Sequence, residues 1–146
     1  MQNKDNKHKI VIIGGGYGGL RVVEKLSANP QNEIVLIDKN PYHFLQTDLY
    51  DLIANEEDFA QVTIDLFTFC AGFDNCVSFY NEEVSNIDFK NKKIITKNKR
   101  HSYDYLVVAT GSKTKFPPSV DGLNEYAYGT KSLTRAIEFK QKFELS

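Results

Sequence analysis

The sequence predicts an α/β fold, in which a parallel β-sheet carries helices on both faces and a small antiparallel β-meander is added to it. A short apolar run enters a glycine-rich loop and then a helical pattern within residues 9–26. A second apolar run follows at residues 33–37, and a third ends in small residues at 109–111. Because such runs, rich in β-branched residues, are typical of parallel strands covered on both faces, these segments predict one sheet.

The first strand and its loop carry the most informative motif of the chain. The apolar residues 10–13 precede a Gly-x-Gly-x-x-Gly pattern made by Gly14, Gly16 and Gly19. In such a loop the first glycine permits a tight turn, the second lets a diphosphate approach the backbone, and the third lets the helix pack on the strand. The helix N-terminus adds N–H groups and a positive dipole. The motif predicts a dinucleotide site, although the same glycines in isolation could form only a structural turn.

The following helix and second strand lead to an acidic residue. Three apolar residues share one face of the helical pattern: Leu20, Val23 and Leu26. The strand at 33–37 ends in Asp38, nineteen residues after Gly19. That spacing predicts a carboxylate that accepts a hydrogen bond from a ribose hydroxyl, and the alternative is an aspartate that only caps a turn. A carboxylate here argues against a 2′-phosphate, so the predicted ligand carries an unphosphorylated adenosine ribose.

Short strands dominate the second half of the chain. The predicted strands are Val77–Tyr80, Glu83–Asp88, Lys93–Thr96 and Tyr103–Gly111, with a turn at Asn91-Lys92. Six basic residues between 90 and 100 indicate a solvated hairpin, since no aromatic platform for nucleic acid accompanies them. The last strand ends in Ala109, Thr110 and Gly111, where small residues permit a ligand to approach the backbone.

Further helices follow from apolar periodicity. They are predicted over roughly Asp48 to Ala54, over Thr63–Ala71 and over Ser132–Phe143. The aromatics of the second of these helices are interpreted as core residues, and Cys70 within it as a packed thiol. The two cysteines and three histidines have no ligand-like spacing, so no metal site is predicted.

Composition limits the classes of function. The 146 residues are 41% hydrophobic and 25% charged, which is enough for one domain with a core. A net charge of −1 gives no electrostatic reason to expect nucleic acid or an anionic membrane as the partner. The apolar runs are too short to cross a bilayer and the polar start is not a secretory signal, so a cytoplasmic location is predicted.

The order of these motifs resembles the Rossmann-like FAD/NAD(P)-binding domain of the pyridine-nucleotide–flavin oxidoreductases, over Lys9 to Ser146. The resemblance implies that FAD lies with its diphosphate on the glycine-rich loop, its adenosine ribose at Asp38 and its adenine beside the backbone of Val84. The cofactor-binding residues it implies are Gly14, Gly16, Tyr17, Gly18, Gly19, Asp38, Lys39, Thr47, Val84, Ala109, Thr110 and Gly111.

The segment Asn40–Ala54 points to one branch of this family. It lacks the cysteine pair of the disulfide reductases, and it closely resembles the type II (non-proton-pumping) NADH:quinone dehydrogenases. Sulfide:quinone, rubredoxin and ferredoxin reductases share much of the frame and stay open as alternatives. The flavin carries the redox chemistry in such enzymes, so no catalytic side chain is predicted. His43 is accordingly interpreted as packing or hydrogen-bonding near the loop rather than as a general base.

The resemblance also implies a longer parent enzyme. Residues 1–8 are predicted to be a flexible N-terminus, 9–131 the FAD-binding domain and 132–146 a helix leading toward an NADH-binding domain, whose second glycine-rich loop is not in this sequence. The parent would pass hydride from NADH to FAD and electrons to a quinone, as a peripheral protein on the cytoplasmic face of the inner membrane. The chain alone is expected to hold FAD weakly or not at all, to lack NADH turnover and to self-associate as a homodimer.

A non-catalytic dinucleotide sensor is the alternative from another functional class. The glycine-rich loop and Asp38 fit a sensor of NAD(H) or AMP equally well. The meander that leads to Ala109-Thr110-Gly111 favours the flavoprotein, because a simple sensor would not need it.

Overall fold

The computed structural model of the chain describes residues 7–54, 56, 58–73, 76–129 and 131–144. The chain divides into two units, one made of Met1–His43 with Asp65–Gly111 and the other of Phe44–Ile64 with Ser112–Ser146. The predicted domain boundaries at residues 8/9 and 131/132 stay predictions.

Nine strands and five helices are found in the described residues. The strands are β1 (His8–Ile13), β2 (Asn32–Asp38), β3 (Tyr42–Phe44), β4 (Thr63–Asp65), β5 (Val77–Asn81), β6 (Val84–Asp88), β7 (Lys93–Thr96), β8 (Arg100–Ser102) and β9 (Tyr105–Val108). The helices are α1 (Tyr17–Leu26), α2 (Leu49–Ile53), α3 (Leu66–Ala71), α4 (Leu123–Tyr126) and α5 (Leu133–Glu144), with a 3₁₀ turn at Gln46–Asp48.

A four-stranded parallel sheet forms the centre of the first unit. Its order is β5-β2-β1-β9, with Ile10 opposite both Ile34 and Tyr105. Successive side chains of a strand point to opposite faces, so the continuous apolar run of β1 fills the core on both sides of the sheet. The predicted fold class, a parallel sheet with helices and a small antiparallel sheet, is confirmed.

The two faces of this sheet are covered differently. On one face, Ile12 and Leu36 pack with Val23 of α1 and Leu66 of α3. On the other face, the core is completed by residues of the second half of the chain, and its buried members are Val11, Ile13, Val35, Ile37, Ile94 and Tyr103. Within this unit, therefore, helices cover one face and the antiparallel strands cover the other, where the sequence predicted helices on both.

Strands β6, β7 and β8 form an antiparallel meander. Strands β6 and β7 match the predicted strands Glu83–Asp88 and Lys93–Thr96, whereas β8 was not predicted and the predicted strand Val77–Tyr80 is β5 of the parallel sheet. Asp88 holds the turn between β6 and β7, because its two carboxylate oxygens accept bonds from the backbone and the side-chain amide of Asn91 at 2.9 and 2.7 Å. Lys92 completes the turn with a φ of 50°, a left-handed conformation that non-glycine residues rarely adopt. The predicted turn at Asn91-Lys92 is thus confirmed.

The second unit has a helical core. Helix α2 packs on α5, and Leu49, Leu52, Val62, Leu133 and Ala136 are buried. Two long side chains tie it together: Nζ of Lys140 donates to the carbonyl of Leu52 at 2.8 Å, and Nε2 of Gln46 donates to the carbonyl of Lys131 at 2.9 Å. The helices predicted near 48–54 and 132–143 are both confirmed, as α2 and α5.

The helix predicted over Thr63–Ala71 is wrong in its first three residues. Thr63–Asp65 form β4, which pairs with β3, and the helix begins at Leu66. Asp65 explains the boundary, because its carboxylate accepts a hydrogen bond from the backbone N–H of Thr68 at 2.7 Å and so caps the first turn. Cys70 is 3% exposed and burial raises the pKa of its thiol to about 11, which confirms the packed-thiol interpretation.

Candidate functional site

The glycine-rich loop joins three elements by close backbone contact. Gly14 has a φ of 107°, and a Cβ there would overlap the carbonyl of Ala109. A Cβ at Gly19 would in turn overlap the carbonyl of Gly14, so α1 can approach β1 only because position 19 has no side chain. The sequence prediction that these glycines allow a tight turn and a packed helix matches this geometry.

Gly16 differs from its neighbours because it faces open space. Its backbone is extended, with φ −82° and ψ −174°, and a Cβ there would meet no atom within 4 Å. It is the N-cap of α1, whose first helical bond runs from the N–H of Leu20 to the carbonyl of Gly16 at 3.0 Å. The N–H groups of Tyr17 and Gly18 therefore have no acceptor within the helix, and they are directed, with the positive end of the helix dipole, out of the N-terminal end of α1.

Asp38 lies at the end of β2, against the same loop. Its Oδ2 accepts a hydrogen bond from the N–H of Gly15 at 2.6 Å, and its Oδ1 accepts one from the N–H of Asn40 at 2.8 Å. An ionised carboxylate can accept about four hydrogen bonds, so capacity for ribose hydroxyls is left. The turn-capping alternative therefore describes part of what Asp38 does, and the two roles are compatible. The next residue, Lys39, is exposed.

The end of β5 and the connection that leads from it to the meander contact Asp38. The carbonyl of Asp38 accepts hydrogen bonds from the N–H of Glu82 at 2.9 Å and from Nδ2 of Asn81 at 3.1 Å. Val84 is half-buried and begins β6 two residues after Glu82. The sequence did not single out Asn81 or Glu82, because neither belongs to the glycine motif or to an apolar run.

A polar network fixes Glu82 in this position. Its Oε2 accepts a hydrogen bond from the hydroxyl of Thr96 at 2.6 Å, and Nε2 of buried His101 lies 3.4 Å from the same oxygen. The Thr96 hydrogen bond is the main reason why the pKa of the Glu82 carboxyl lies below its ordinary value; desolvation opposes the shift and His101 adds to it. The network therefore stabilises the segment that leads to Val84 mainly while Glu82 is ionised.

Replacing Thr96 by valine should cost about 1.5–3 kcal/mol of unfolding free energy at pH 7, the usual value for a hydrogen bond to a charged group. A depressed pKa stabilises the fold above the carboxyl's ordinary value of 4.5, and this contribution is lost as the pH falls through the folded-state pKa. In urea unfolding followed by circular dichroism, the loss of stability caused by Thr96→Val should therefore be smaller below the folded-state pKa of Glu82 than at pH 7. Thr96→Ser keeps the hydroxyl and is the control. If Thr96→Val lost the same stability at pH 7 and below the folded-state pKa of Glu82, the role of Glu82 would be contradicted.

The end of β9 completes the site in this unit. The N–H of Ala109 donates to the carbonyl of Ile13 at 2.8 Å, which keeps Ala109 beside the glycine-rich loop. Thr110 and Gly111 are exposed, and Gly111 has a φ of 68°. The predicted residues of the first unit that the fold brings to this edge of the sheet are Gly14, Gly16, Tyr17, Gly18, Gly19, Asp38, Lys39, Ala109, Thr110 and Gly111.

Thr47 is the predicted cofactor residue that belongs to the second unit. It is exposed in the 3₁₀ turn, where its hydroxyl lies 2.7 Å from Oδ1 of Asp48. Its assignment to a cofactor stays a prediction.

The described part of the chain has no metal-binding cluster and no membrane-spanning helix. No group of three His, Cys, Asp or Glu residues there is arranged to hold a metal ion. None of the helices in those residues has the length and apolar character needed to span a membrane.

Comparisons with known proteins match nearly the whole chain to one family. The profile of the family described as pyridine nucleotide-disulphide oxidoreductase matches residues 8–145. The type II NADH:quinone oxidoreductase of Staphylococcus haemolyticus is 29% identical over 142 residues, which are 95% of this chain and 35% of that protein. The demethylphylloquinone reductase NdbB of Synechocystis sp. is also 29% identical, over 96% of this chain and 36% of its own length.

Solved structures agree with this result. The sulfide:quinone oxidoreductase of Aquifex aeolicus superposes with a TM-score of 0.84 at 29% identity, covering 94% of this chain and 32% of that one. NDH2 of Plasmodium falciparum, solved in complex with NADH, superposes with a TM-score of 0.75 at 26% identity, covering 94% of this chain and 29% of that one.

The comparisons confirm the resemblance that the motifs predicted. The chain spans about a third of the length of the curated relatives it matches, at 35% and 36% of those proteins. Since the family profile covers residues 8–145, the chain belongs to the pyridine nucleotide-disulphide oxidoreductase family.

Proposed function

We propose that this chain supplies the adenosine-diphosphate half of an FAD site, as the N-terminal part of a flavin-dependent NADH dehydrogenase. The observation that carries the proposal is the open space at Gly16, beside the N-terminus of α1 and the Asp38 carboxylate. Helix N–H groups bind phosphate and a carboxylate at the end of the second strand binds ribose, so the arrangement fits an adenine dinucleotide.

FAD, when bound, would accept hydride from NADH and pass the electrons on to a quinone. The residues of this chain bind and orient the cofactor in that proposal. The backbone at Gly16, Tyr17 and Gly18 holds the diphosphate, and Asp38 holds the ribose. Val84 lies beside the adenine, because its strand begins just after the segment that is hydrogen-bonded to Asp38.

The electron acceptor is proposed from the relatives. Two curated relatives are named for quinone-type acceptors, and each covers at least 95% of this chain. A sulfide:quinone oxidoreductase is the second candidate, favoured by its TM-score of 0.84. Both candidates share the quinone, and they differ in the electron donor. We propose NADH as the donor because NADH:quinone oxidoreductases are found in both the sequence and the structure comparisons.

A non-catalytic sensor of adenine nucleotides is the alternative from another class. It would use the same loop and the same Asp38. The hydrogen bond from the N–H of Glu82 to the carbonyl of Asp38 favours the flavoprotein, because it holds the connection from β5 to the meander against the residue that would bind the ribose.

The test compares five ligands by equilibrium titration of the purified chain: FAD, ADP, AMP, FMN and adenosine 2′,5′-diphosphate. We expect FAD and ADP to bind with similar, weak affinity, because both carry the adenosine diphosphate that this chain contacts. FMN lacks the adenosine and should not bind. Adenosine 2′,5′-diphosphate should bind more weakly than AMP, from which it differs only by the 2′-phosphate, because that phosphate meets the Asp38 carboxylate.

Two outcomes would overturn the proposal. One is the absence of ADP and FAD binding by a chain that circular dichroism shows to be folded. The other is binding of FMN as tight as that of FAD. We also expect no NADH oxidation by the chain mixed with FAD, because only the adenosine-diphosphate half of the cofactor site is proposed here.

Assembly and location belong to the same proposal. We infer that the whole enzyme is peripheral at the cytoplasmic face of a membrane and that this chain forms a homodimer. Exposed apolar side chains such as Tyr50, Tyr126 and Phe143 support self-association. A monomeric mass in light scattering would contradict the dimer and would leave the nucleotide site unaffected.

A further inference from the structure

The side chain of Asn81 is held beside the residue proposed to bind the ribose. Asn81 ends β5 and is paired in the parallel ladder with Asp38, which ends β2. Paired residues of neighbouring strands carry their side chains on the same face of a sheet. Nδ2 of Asn81 donates a hydrogen bond to the carbonyl of Asp38 at 3.1 Å. The amide is therefore fixed at the carboxyl edge of the parallel sheet, which is the edge where open α/β folds bind their ligands.

The Asn81 amide keeps most of its hydrogen-bonding capacity for a ligand. The residue is exposed, and the bond to Asp38 is the one hydrogen bond that its side chain makes within the described residues. A carboxamide has two N–H donors and one acceptor oxygen. Because a carbonyl can only accept, the nitrogen must face Asp38, which leaves the second N–H and Oδ1 without a partner in the described part of the chain. Asn81 thus presents a donor and an acceptor side by side.

This pair of groups matches one edge of adenine. Adenine carries an amino group at N6, which donates, next to N7, which accepts. A carboxamide can bind both at once, with its oxygen on the N6 amino group and its N–H on N7, and asparagine makes this two-bond contact with adenine in nucleic-acid complexes. Val84, beside which the adenine is proposed to lie, follows Asn81 by three residues. We therefore expect the amide and the base at the same end of the site.

We propose that Asn81 selects adenine at this nucleotide site, by accepting a hydrogen bond from N6 with Oδ1 and donating one to N7 from Nδ2. The inference rests on the proposed function and adds the contact that distinguishes one base from another. The helix N-terminus and Asp38 bind the diphosphate and the ribose, which all ribonucleoside diphosphates share. Selectivity for adenine needs a group that contacts the edge of the base, and the Asn81 amide supplies that group.

Inosine diphosphate tests this selectivity, because it differs from ADP only in its base, where an oxygen replaces the N6 amino group. The edge of that base offers two acceptors, O6 and N7, and an amide with one unused N–H cannot satisfy both. We expect the purified wild-type chain to bind ADP at least about tenfold more tightly than inosine diphosphate in equilibrium titrations.

The variant Asn81→Ala removes the amide. We expect it to weaken ADP binding about tenfold and to leave the Kd for inosine diphosphate nearly unchanged, so that the preference for ADP falls about tenfold. A purely structural effect through Asp38 would change both Kd values together, because both ligands contain the same ribose. The ratio of the two Kd values therefore separates contact with the base from support of Asp38.

Asn91→Ala is the matched control. Nδ2 of Asn91 also makes a single hydrogen bond at the surface of the chain. Asn91 precedes β7, and the other end of that strand carries the contact of Thr96 with Glu82. Asn91 is thus remote from the proposed base contact, and Asn91→Ala should keep the wild-type preference for ADP.

A second measurement needs no variant and uses 7-deaza-ADP, in which a carbon replaces N7. The wild-type chain should bind it about fivefold more weakly than ADP, because one of the two contacts is lost. Equal affinities of the wild-type chain for ADP and either analogue would overturn the inference and leave the proposed function intact. A folded Asn81→Ala variant that keeps the wild-type preference would do the same. A wild-type chain that binds neither ADP nor FAD would overturn both.

Discussion

Replacing Gly19 by alanine should destabilise the chain by about 3 kcal/mol or more, at the upper end of what overpacking costs. The new Cβ would overlap the carbonyl of Gly14 and would come within 3.6 Å of Ile12. Both partners are buried, and the carbonyl belongs to backbone that cannot rotate away. Alanine is a better helix former than glycine by about 1 kcal/mol, so a loss of stability must come from this contact. Urea unfolding followed by circular dichroism measures the effect.

Gly18→Ala is the matched control on the same helix. A Cβ at position 18 would meet only the methyl group of Ala109 at 3.9 Å, an ordinary contact. Helix propensity then decides the result, and we expect Gly18→Ala to be stabilising by up to about 1 kcal/mol. Two adjacent glycines should therefore respond to the same substitution with opposite signs. Similar stabilities for the two variants would show that α1 does not pack on β1 as closely as described.

The first half of the fold could be predicted because its signals are local. The apolar runs of β1 and β2 are continuous, and Leu20 and Val23 repeat at helical spacing between them. Both core clusters consist largely of these residues. A strand buried on both faces has to be apolar throughout, so the sequence of such a strand reveals its position at the centre of a sheet.

What covers the second face of the sheet could not be predicted, because it depends on contacts between residues far apart in sequence. Ile94 and Tyr103 complete the core against Val11 and Val35, and nothing in a short antiparallel strand indicates which surface it will cover. Strand β4 was missed for a similar reason. Thr63–Asp65 have an apolar spacing that suits a short helix, and their pairing with β3 is set by a segment about twenty residues earlier.

The candidate site also has one part that could be predicted from the sequence and one part that could not. The glycines and Asp38 were predicted from spacing, since each performs a task that few other residues can perform. The supporting residues were not predicted, because Glu82 and Thr96 are common polar residues whose roles appear only when the meander folds against β2. His43 was noticed as a chemically capable residue, and its burial without a hydrogen-bond partner is a property of the folded chain.

Replacing Gly16 by aspartate should abolish nucleotide binding and leave the fold intact. The backbone there is extended and a Cβ meets no atom within 4 Å, so a side chain is accommodated without strain. Aspartate is also among the best N-cap residues, and its charge interacts favourably with the helix dipole, so α1 should keep or gain a few tenths of a kcal/mol. The same carboxylate would occupy the place of the diphosphate and repel it. We expect the Kd for ADP and FAD to rise about 100-fold or more, which is about 2.7 kcal/mol.

Gly16→Asn separates charge from volume, because asparagine has the shape and the capping ability of aspartate without its charge. If the diphosphate lies at this helix end, the asparagine variant should bind more weakly than the wild type and more tightly than the aspartate variant. Raising the ionic strength should narrow the difference between the two variants, because salt screens the repulsion. Wild-type affinity in a folded Gly16→Asp variant would mean that the diphosphate does not bind at α1. The glycine-rich loop would then serve only to let α1 pack on β1. The absence of a side chain at Gly19 is already explained by that role.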